Sequence, residues 1–227
     1  MKSKKIICIF LCALSLVLLT GILSACGAGP STSSAAASPS NAPSATAPGS
    51  AGSQTYTNDA AKFTITYPQS YNAMSQDQIY KIMSQLIDNL KSQHTDPAEL
   101  NKAIQNSVPV AIIRKHPQGY SDGYNSGVSI GIHDDIATGN IVDFENQELN
   151  PGSQPSGGPS ISPATAVKID GKDAAFLDET LSVDGKDMFQ RTYYVENNNF
   201  LLMITLTAAN KSELDELVQI VDSIKFK

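Results

Sequence analysis

The feature that most constrains this chain is an uncharged, apolar run near its N-terminus, residues 6–23. Three lysines, Lys2, Lys4 and Lys5, precede the run, and small residues follow it. A basic start, an apolar middle and a small-residue end are together the layout of a secretory signal peptide. We therefore predict that residues 1–25 are a signal and that the folded part of the chain lies downstream.

The predicted signal ends in Leu23-Ser24-Ala25-Cys26, followed by Gly27. This pattern resembles the lipobox of bacterial lipoproteins, in which a small residue precedes an invariant cysteine. The resemblance implies that Cys26 is lipidated, with palmitate or a similar acyl chain, and becomes the N-terminus after cleavage. An uncleaved transmembrane anchor is the alternative, because the run is nearly long enough to span a bilayer. In both cases the lysines stay in the cytoplasm, so the rest of the chain lies on the extracytoplasmic face of the cell membrane.

All three cysteines fall within the first 26 residues. Cys8 and Cys12 lie inside the predicted signal, which leaves Cys26 as the only cysteine of the mature chain. A disulfide framework, a thiol nucleophile and a cysteine metal site are therefore excluded for the folded part. We expect the fold to be stabilised by its core alone.

The charge balance of the mature chain is acidic. Without the three lysines of the signal, 13 of the 16 basic residues remain against 22 acidic ones, a net charge of −9. Nucleic-acid binding draws its affinity largely from Lys and Arg contacts to phosphates, so we predict no nucleic-acid partner. The same charge argues against a domain that lies flat on anionic lipid.

Residues 27–53 contain only Ala, Ser, Pro, Gly, Thr and one Asn. Such a segment cannot bury enough apolar surface to offset the entropy lost on ordering. Residues 26–53 are therefore predicted to be a lipid-carrying cysteine and a flexible tether, with an r.m.s. reach of roughly 30 Å. The following 174 residues, 54–227, are enough for one hydrophobic core, and we predict a single domain there.

Apolar residues at helical spacing predict helices at 75–93 and 212–223, with a further helix at 97–106 and a short one near 141–149. Ser75 with Gln78, and Asn210 with Glu213, have the spacing of capping boxes. Alternating patterns predict strands. The predicted strands are 55–58, 62–67, 108–116, 126–133, 165–169, 173–181, 187–196 and 200–208. Segment 134–163 is otherwise predicted to be a long loop.

The turns between these strands are short, and Asp170-Gly171 and Asp184-Gly185 are typical of tight hairpins. Strands joined by short turns must be antiparallel. Amphipathic helices in turn need a sheet face to cover. The predicted fold class is therefore α+β, with a central antiparallel sheet flanked by helices.

Several segments resemble PsbP-like domains: KFTITYP at 62–68, IDGKDA at 169–174, RTYYVE at 191–196, LMITLT at 202–207 and DSIKF at 222–226. The resemblance spans most of residues 55–227. It implies an antiparallel sheet flanked by helices and a role in binding other proteins. PsbP-like domains have no common active site, so the resemblance supplies no catalytic or cofactor-binding residue.

The sequence G-x-S-x-G at 127–131 matches the nucleophile elbow of α/β hydrolases, with Ser129 as the nucleophile. That motif requires a sharp turn between a strand and a helix, but here apolar residues alternate straight through it. It also requires a later histidine, whereas the last one, His133, follows only four residues on. We predict a strand, no catalytic residue and no enzyme.

His133-Asp134-Asp135 offers nitrogen and oxygen ligands for a metal ion. Adjacent residues alone do not make a site, and His116 is predicted at the opposite end of the same hairpin, roughly 25 Å away. A loose cation site would require the loop to fold back with its other acids. Those acids are Asp143, Glu145 and Glu148. We predict a solvated acidic turn, with neither metal nor cofactor.

Tyr120 and Tyr124 are the candidate partner-binding residues. They lie in a glycine-containing loop, 117–125, and tyrosine supplies rigid contact area at low entropic cost. The alternative is that both rings fold back over the sheet edge. Loop 117–125 and loop 134–163 leave opposite ends of the strand 126–133, so we expect them to form separate surfaces.

These observations favour a tethered, non-enzymatic domain that binds a protein of the cell envelope. The alternatives are a cell-envelope hydrolase and a carrier of a small ligand or metal. A pocket of converging polar groups would favour the hydrolase. An apolar rim around Tyr120 would favour the binding domain.

Overall fold

A computed structural model describes residues 52–92, 108–117, 120, 124–133, 141–143, 160–183, 186–197 and 200–227. The predicted signal, Cys26, the tether up to residue 51 and the predicted helix at 97–106 lie outside the described residues. So do His94, Asp134, Asp135, Glu145 and Glu148.

The described residues form eleven strands and two helices of more than one turn. The strands are β1 (Ser53–Asn58), β2 (Phe63–Pro68), β3 (Asn72–Ala73), β4 (Val108–Arg114), β5 (Gly127–His133), β6 (Ser160–Ile161), β7 (Thr165–Ile169), β8 (Lys172–Val183), β9 (Lys186–Asn197), β10 (Phe200–Ala208) and β11 (Lys225–Phe226). The helices are α1 (Gln76–Ser92) and α2 (Lys211–Asp222). Residues 141–143 are also helical.

The strands form two antiparallel sheets. The main sheet has the order β3-β4-β5-β10-β9-β8-β6, with β7 also paired to β8, and the small sheet has the order β1-β2-β11. Both hairpin turns predicted from Asp-Gly pairs join strands that pair in the structure, β7 with β8 and β8 with β9. The predicted α+β class, a central antiparallel sheet with helices, is confirmed.

The main sheet buries apolar side chains on both of its faces. On one face, alternate residues of β5 and β10 meet α2 and the small sheet, as Ile130, Ile204 and Leu217 illustrate. On the other face, Leu177 and Met203 pack against Ile141. Since alternate strand residues point to opposite faces, this arrangement explains why β10 is buried at nearly every position.

The start of α1 agrees with the prediction. The backbone N–H of Ser75 donates to Oε1 of Gln78 at 2.8 Å, and the N–H of Gln78 donates to Oγ of Ser75 at 3.3 Å, which completes a capping box. At α2 only half of the predicted box forms. Oδ1 of Asn210 accepts from the N–H of Glu213 at 2.9 Å, but the carboxylate of Glu213 binds elsewhere.

Three strands of two residues were not predicted: β3, β6 and β11. Two residues show no alternation, so their pairing depends on the neighbouring strand. The prediction that 134–163 is a loop to its end was wrong at Ser160–Ile161, which pairs with β8. The next residue fixes that pairing, because Ser162 and Asp178 exchange hydrogen bonds of 2.8 Å.

The two ends of the main sheet carry different groups of connections. The hairpin end carries the β4–β5 connection (115–126), the close of β10 and the start of α2. The far end carries His133, the β9–β10 turn and the turn between β1 and β2. Asn197 of the far end donates from Nδ2 to the carbonyl of Ala61 at 2.9 Å, which joins the two sheets there.

Candidate functional site

The β4–β5 connection presents Tyr120 on a histidine. The rings of His116 and Tyr120 are stacked, with centroids 4.0 Å apart and planes at 11°. The N–H of Tyr120 donates to the carbonyl of Pro117 at 3.3 Å, which closes a turn. Both side chains are half-buried. Tyr120 therefore offers a supported aromatic surface rather than a freely rotating ring.

Asn125 closes the base of this connection. Its Oδ1 accepts from the N–H of His116 and its Nδ2 donates to the carbonyl of His116, both at 2.9 Å. The side-chain amide thereby replaces one rung of the β4–β5 ladder. Because these bonds hold the backbone of His116, they also hold the ring on which Tyr120 stacks.

A second set of contacts lies beneath, between the connection and α2. We call it the Glu213 cluster, which comprises Lys115, Ser126, Glu213 and Glu216. Nζ of Lys115 contacts Oε1 of Glu213 at 3.1 Å and Oε2 of Glu216 at 3.2 Å. The hydroxyl of Ser126 donates to Oε2 of Glu213. Lys115 and Ser126, the first and last residues of the connection, are thus bonded to the first two turns of α2.

The cluster is partly shielded from water, which makes its electrostatics effective. Burial raises the pKa of Glu213, but the hydrogen bonds from Ser126 and Lys115 outweigh it, so the pKa lies below the ordinary value. Burial lowers the pKa of Lys115, and its bonds to Glu213 and Glu216 outweigh that effect and raise it. Each charge is therefore stabilised in the folded state.

Tyr71 adjoins this cluster from the small-sheet side and is fully buried. Its hydroxyl faces Glu216 without a hydrogen bond of regular geometry to any described residue. Burial, followed by the negative charge of Glu216, holds the pKa of Tyr71 well above its usual range. Tyr71 is therefore a neutral phenol at neutral pH, and it contributes apolar contact to the core.

Tyr124 takes a different position from Tyr120. Its half-buried ring packs against Leu181 and Met188, at the β8–β9 hairpin. This is the position expected of a ring that folds back over the sheet. The neighbouring Arg114 donates from Nη1 to the carbonyl of Asn125 at 3.2 Å, and burial lowers its pKa to about 10. The part of Tyr124 in partner binding stays a prediction.

Ser129 lies in the middle of β5, opposite Ile112 on one side and Thr205 on the other. The strand continues without a turn to His133, so Ser129 lacks the strand-to-helix geometry of a nucleophile elbow. Gly127 instead has a structural role. A Cβ built on it would clash with the carbonyl oxygen of Ile113, so β4 and β5 approach more closely there than a side chain allows.

The other candidate residues are not brought together. His116 belongs to the hairpin end and the backbone of His133 to the far end of the main sheet. Asp143 is exposed in the helical residues 141–143. Among the described residues, no group of three or more His, Cys, Asp or Glu side chains could hold a metal ion.

The Glu213 cluster was not predicted from the sequence. Its members are 87 residues apart at the Ser126–Glu213 contact, and the spacing of Glu213 from Asn210 predicts a capping box instead. One feature of the sequence could have indicated it. Glu213 and Glu216 are three residues apart on one helix face, which is a spacing that can hold a single cation, and Lys115 lies at the end of a predicted strand.

Together these observations define the class of molecule, an α+β domain that carries a stacked His116–Tyr120 pair at one end of its main sheet. No protein-family model matches the chain. No curated protein is detectably similar to it.

Solved structures resemble the fold. The cyanobacterial PsbP protein (CyanoP) of Synechocystis sp. PCC 6803 is 14% identical with a TM-score of 0.48, and the match covers 81% of this chain and 98% of that one. LpqN of Mycobacterium tuberculosis, involved in cell envelope biogenesis, is 14% identical with a TM-score of 0.42, covering 79% and 87%. A Pseudomonas aeruginosa protein of unknown function is 16% identical with a TM-score of 0.41, covering 51% and 81%. A PsbP protein is therefore among the structures similar to this chain, as the sequence resemblance predicted.

None of the helices in the described part of the chain is long and apolar enough to cross a membrane.

Proposed function

We propose that this chain is a lipid-anchored, extracytoplasmic protein whose domain binds a protein of the cell envelope through the β4–β5 connection. Lipid on Cys26 provides the membrane attachment, and residues 27–53 provide the tether. The domain itself performs no chemistry in this proposal. Its recognition element is Tyr120, and the Glu213 cluster acts as the support.

The observation that carries the proposal is the ring of Tyr120 stacked on His116 at 4.0 Å. Binding surfaces gain affinity when aromatic residues are held in position before the partner arrives, because less side-chain entropy is lost. Here two sets of contacts support the ring beneath Tyr120: Asn125 holds the backbone of His116, and the Glu213 cluster holds Lys115 and Ser126 at the two ends of the connection.

The hydrolase alternative has less support. Ser129 lies within a continuous strand. Ser126 does have an acidic partner, but it is 1% exposed, its hydroxyl donates to Glu213 and its oxygen accepts from the N–H of Ala209 at 3.2 Å. A nucleophile must reach a substrate carbonyl, and Ser126 is committed to the interior. We therefore favour binding over catalysis.

Capture from detergent-solubilised envelopes, with the lipidated protein as bait, tests the proposal. Tyr120→Ala should weaken capture by about tenfold, because a central aromatic residue contributes on the order of 1–2 kcal/mol. Tyr80→Ala is the matched control, since Tyr80 is 66% exposed on α1 and is not part of the connection. Equal capture by both variants would exclude Tyr120 as the recognition residue.

A further inference from the structure

The point at which the tether joins the domain lies close to the β4–β5 connection. Ser53, the first residue of β1, is opposite Pro68 of β2. The carbonyl of Pro68 accepts from the N–H of Tyr71 at 2.9 Å. The next residue along the chain, Asn72, is opposite Arg114, the last residue of β4. Four short steps therefore connect the start of the domain to the start of the connection.

These steps limit the distance. Paired residues on neighbouring strands are about 5 Å apart and residues across a tight turn less than 7 Å, so the Cα atoms of Ser53 and Arg114 are at most roughly 20 Å apart. The C-terminus lies at the opposite end of the small sheet. The N–H of Lys227 donates to the carbonyl of Lys62 at 2.9 Å, whereas Ser53 pairs with the other end of β2.

We propose that the hairpin end of the domain faces the membrane, and that the partner recognised by Tyr120 is a membrane protein whose exposed part lies near the bilayer surface. This inference rests on the proposed function and on its lipid anchor. The tether predicted from the sequence, with a reach of roughly 30 Å, would keep its attachment point near the membrane. A strand of twelve residues, the length of β9, spans about 40 Å. A site at the far end of the main sheet would therefore lie well above the membrane surface.

Because the site lies close to the point where the tether joins the domain, its effective concentration toward a membrane partner is also raised. Tethered binding is strongest when the linker length matches the distance to be spanned, and it falls as the linker must stretch. A binding site beside the residue where the tether joins the domain requires almost no additional linker length.

Direct binding to anionic lipid is disfavoured because the mature chain carries a net charge of −9. In addition, Lys115, a half-buried cation at the start of the connection, is held by two carboxylates.

The orientation can be measured without any partner. The chain contains no tryptophan, so Tyr120→Trp and Phe200→Trp each introduce a single donor, one at the hairpin end and one at the far end. Energy transfer to a dansyl-headgroup lipid in vesicles that carry the lipidated protein should be greater from position 120. Equal transfer, or greater transfer from position 200, would overturn the orientation.

An anchor-reversed protein is the matched control. It lacks residues 1–25, carries Cys26→Ala, and has a copy of residues 27–53 after Lys227 that ends in one cysteine for coupling to a maleimide lipid. The order of energy transfer should then reverse, because Lys227 is at the far end. For this comparison the N-terminally anchored protein is residues 26–227 with Cys26 coupled to the same maleimide lipid, so that the lipid and the composition of the anchoring tether match and the point of attachment differs.

A second experiment tests whether the partner is a membrane protein. Capture from intact membranes should fall at least tenfold for the anchor-reversed protein, while both proteins bind the detergent-solubilised partner equally. Equal capture from intact membranes would overturn the membrane-facing inference and leave the proposed function standing. Loss of the Tyr120→Ala effect in detergent would instead remove the proposed function.

Discussion

Ser126 donates its hydroxyl to Oε2 of Glu213, a residue of the first turn of α2 that lies 87 positions further along the chain. The bond ties the start of β5 to the start of the last helix. Lys115, the residue after β4, contacts the same carboxylate. One glutamate therefore fixes both sides of the connection that presents Tyr120.

We expect Ser126→Ala to destabilise the domain by about 1–3 kcal/mol, because it leaves the carboxylate of Glu213 and the N–H of Ala209 without their shared partner. Urea unfolding measures the loss. Ser129→Ala is the control, since it removes a hydroxyl from β5, the strand that follows Ser126, outside the cluster. Equal losses for the two variants would show that the contact with Glu213 has no particular weight.

The pKa of Glu213 predicts a dependence of stability on acidic pH. Because its folded pKa lies below the ordinary value of 4.5, its contribution is complete above the unfolded pKa and is lost as the pH falls through the folded one. Glu213→Gln should therefore flatten the decline of unfolding free energy below about pH 5. Lys115 has the opposite sign, since its raised pKa makes a contribution that is lost only at strongly alkaline pH. An unchanged acid slope in Glu213→Gln would contradict this account.

Tyr120 and Tyr124 should separate in their effects. Tyr124→Ala removes a ring packed on Leu181 and Met188, so we expect a loss of about 1–3 kcal/mol in unfolding free energy. Tyr120→Ala should change stability by less than about 1 kcal/mol, because its ring contacts a half-buried histidine rather than the core. Thermal unfolding of both variants measures the two losses in stability. Similar losses would mean that both tyrosines are structural.

The ion pair between Arg191 and Asp178 is bidentate, with distances of 2.6 and 2.8 Å, and the guanidinium also lies 4.3 Å from the ring centroid of Phe176. A double-mutant cycle should give a coupling of about 0.5–1 kcal/mol. Lys168 and Asp173 are the control pair, equally close at 2.6 Å but 65% and 85% exposed. Their coupling should be near zero, and a coupling as large as that of Arg191 would show that geometry and shielding have no influence.

Cys26→Ala should abolish lipid attachment, because the lipobox resemblance requires that thiol. Mass spectrometry of the mature N-terminus reads the result. Cys12→Ala is the control, since Cys12 lies inside the predicted signal. A mature protein that begins elsewhere than Cys26, or that lacks lipid, would exclude the lipoprotein assignment.

The parts of the fold that could be predicted are those determined locally. Alternation revealed β2, in which Phe63, Ile65 and Tyr67 are all buried. Ser75 and Gln78 revealed the start of α1 from their spacing alone. Such features depend on residues within one or two turns of each other, and a single sequence contains that information.

The parts that were missed depend on distant residues. Ser160–Ile161 became a strand because it pairs with Thr180 and Glu179 of β8, not because of its own pattern. Glu213 satisfies the rule for a capping box, yet a serine and a lysine from another hairpin compete more effectively for its carboxylate. Only the assembled sheet brings those donors within reach.

The small sheet unites the first strands of the domain with the last one, since β11 pairs with β2 through Lys225 and Thr64. A ladder between residues so far apart in the chain raises the contact order and slows folding. It also means that a domain exported N-terminus first would complete this sheet only after residue 226 had emerged. Nascent or truncated chains would expose the edge of β2 until then, so the envelope would receive a finished domain only after the whole chain had crossed.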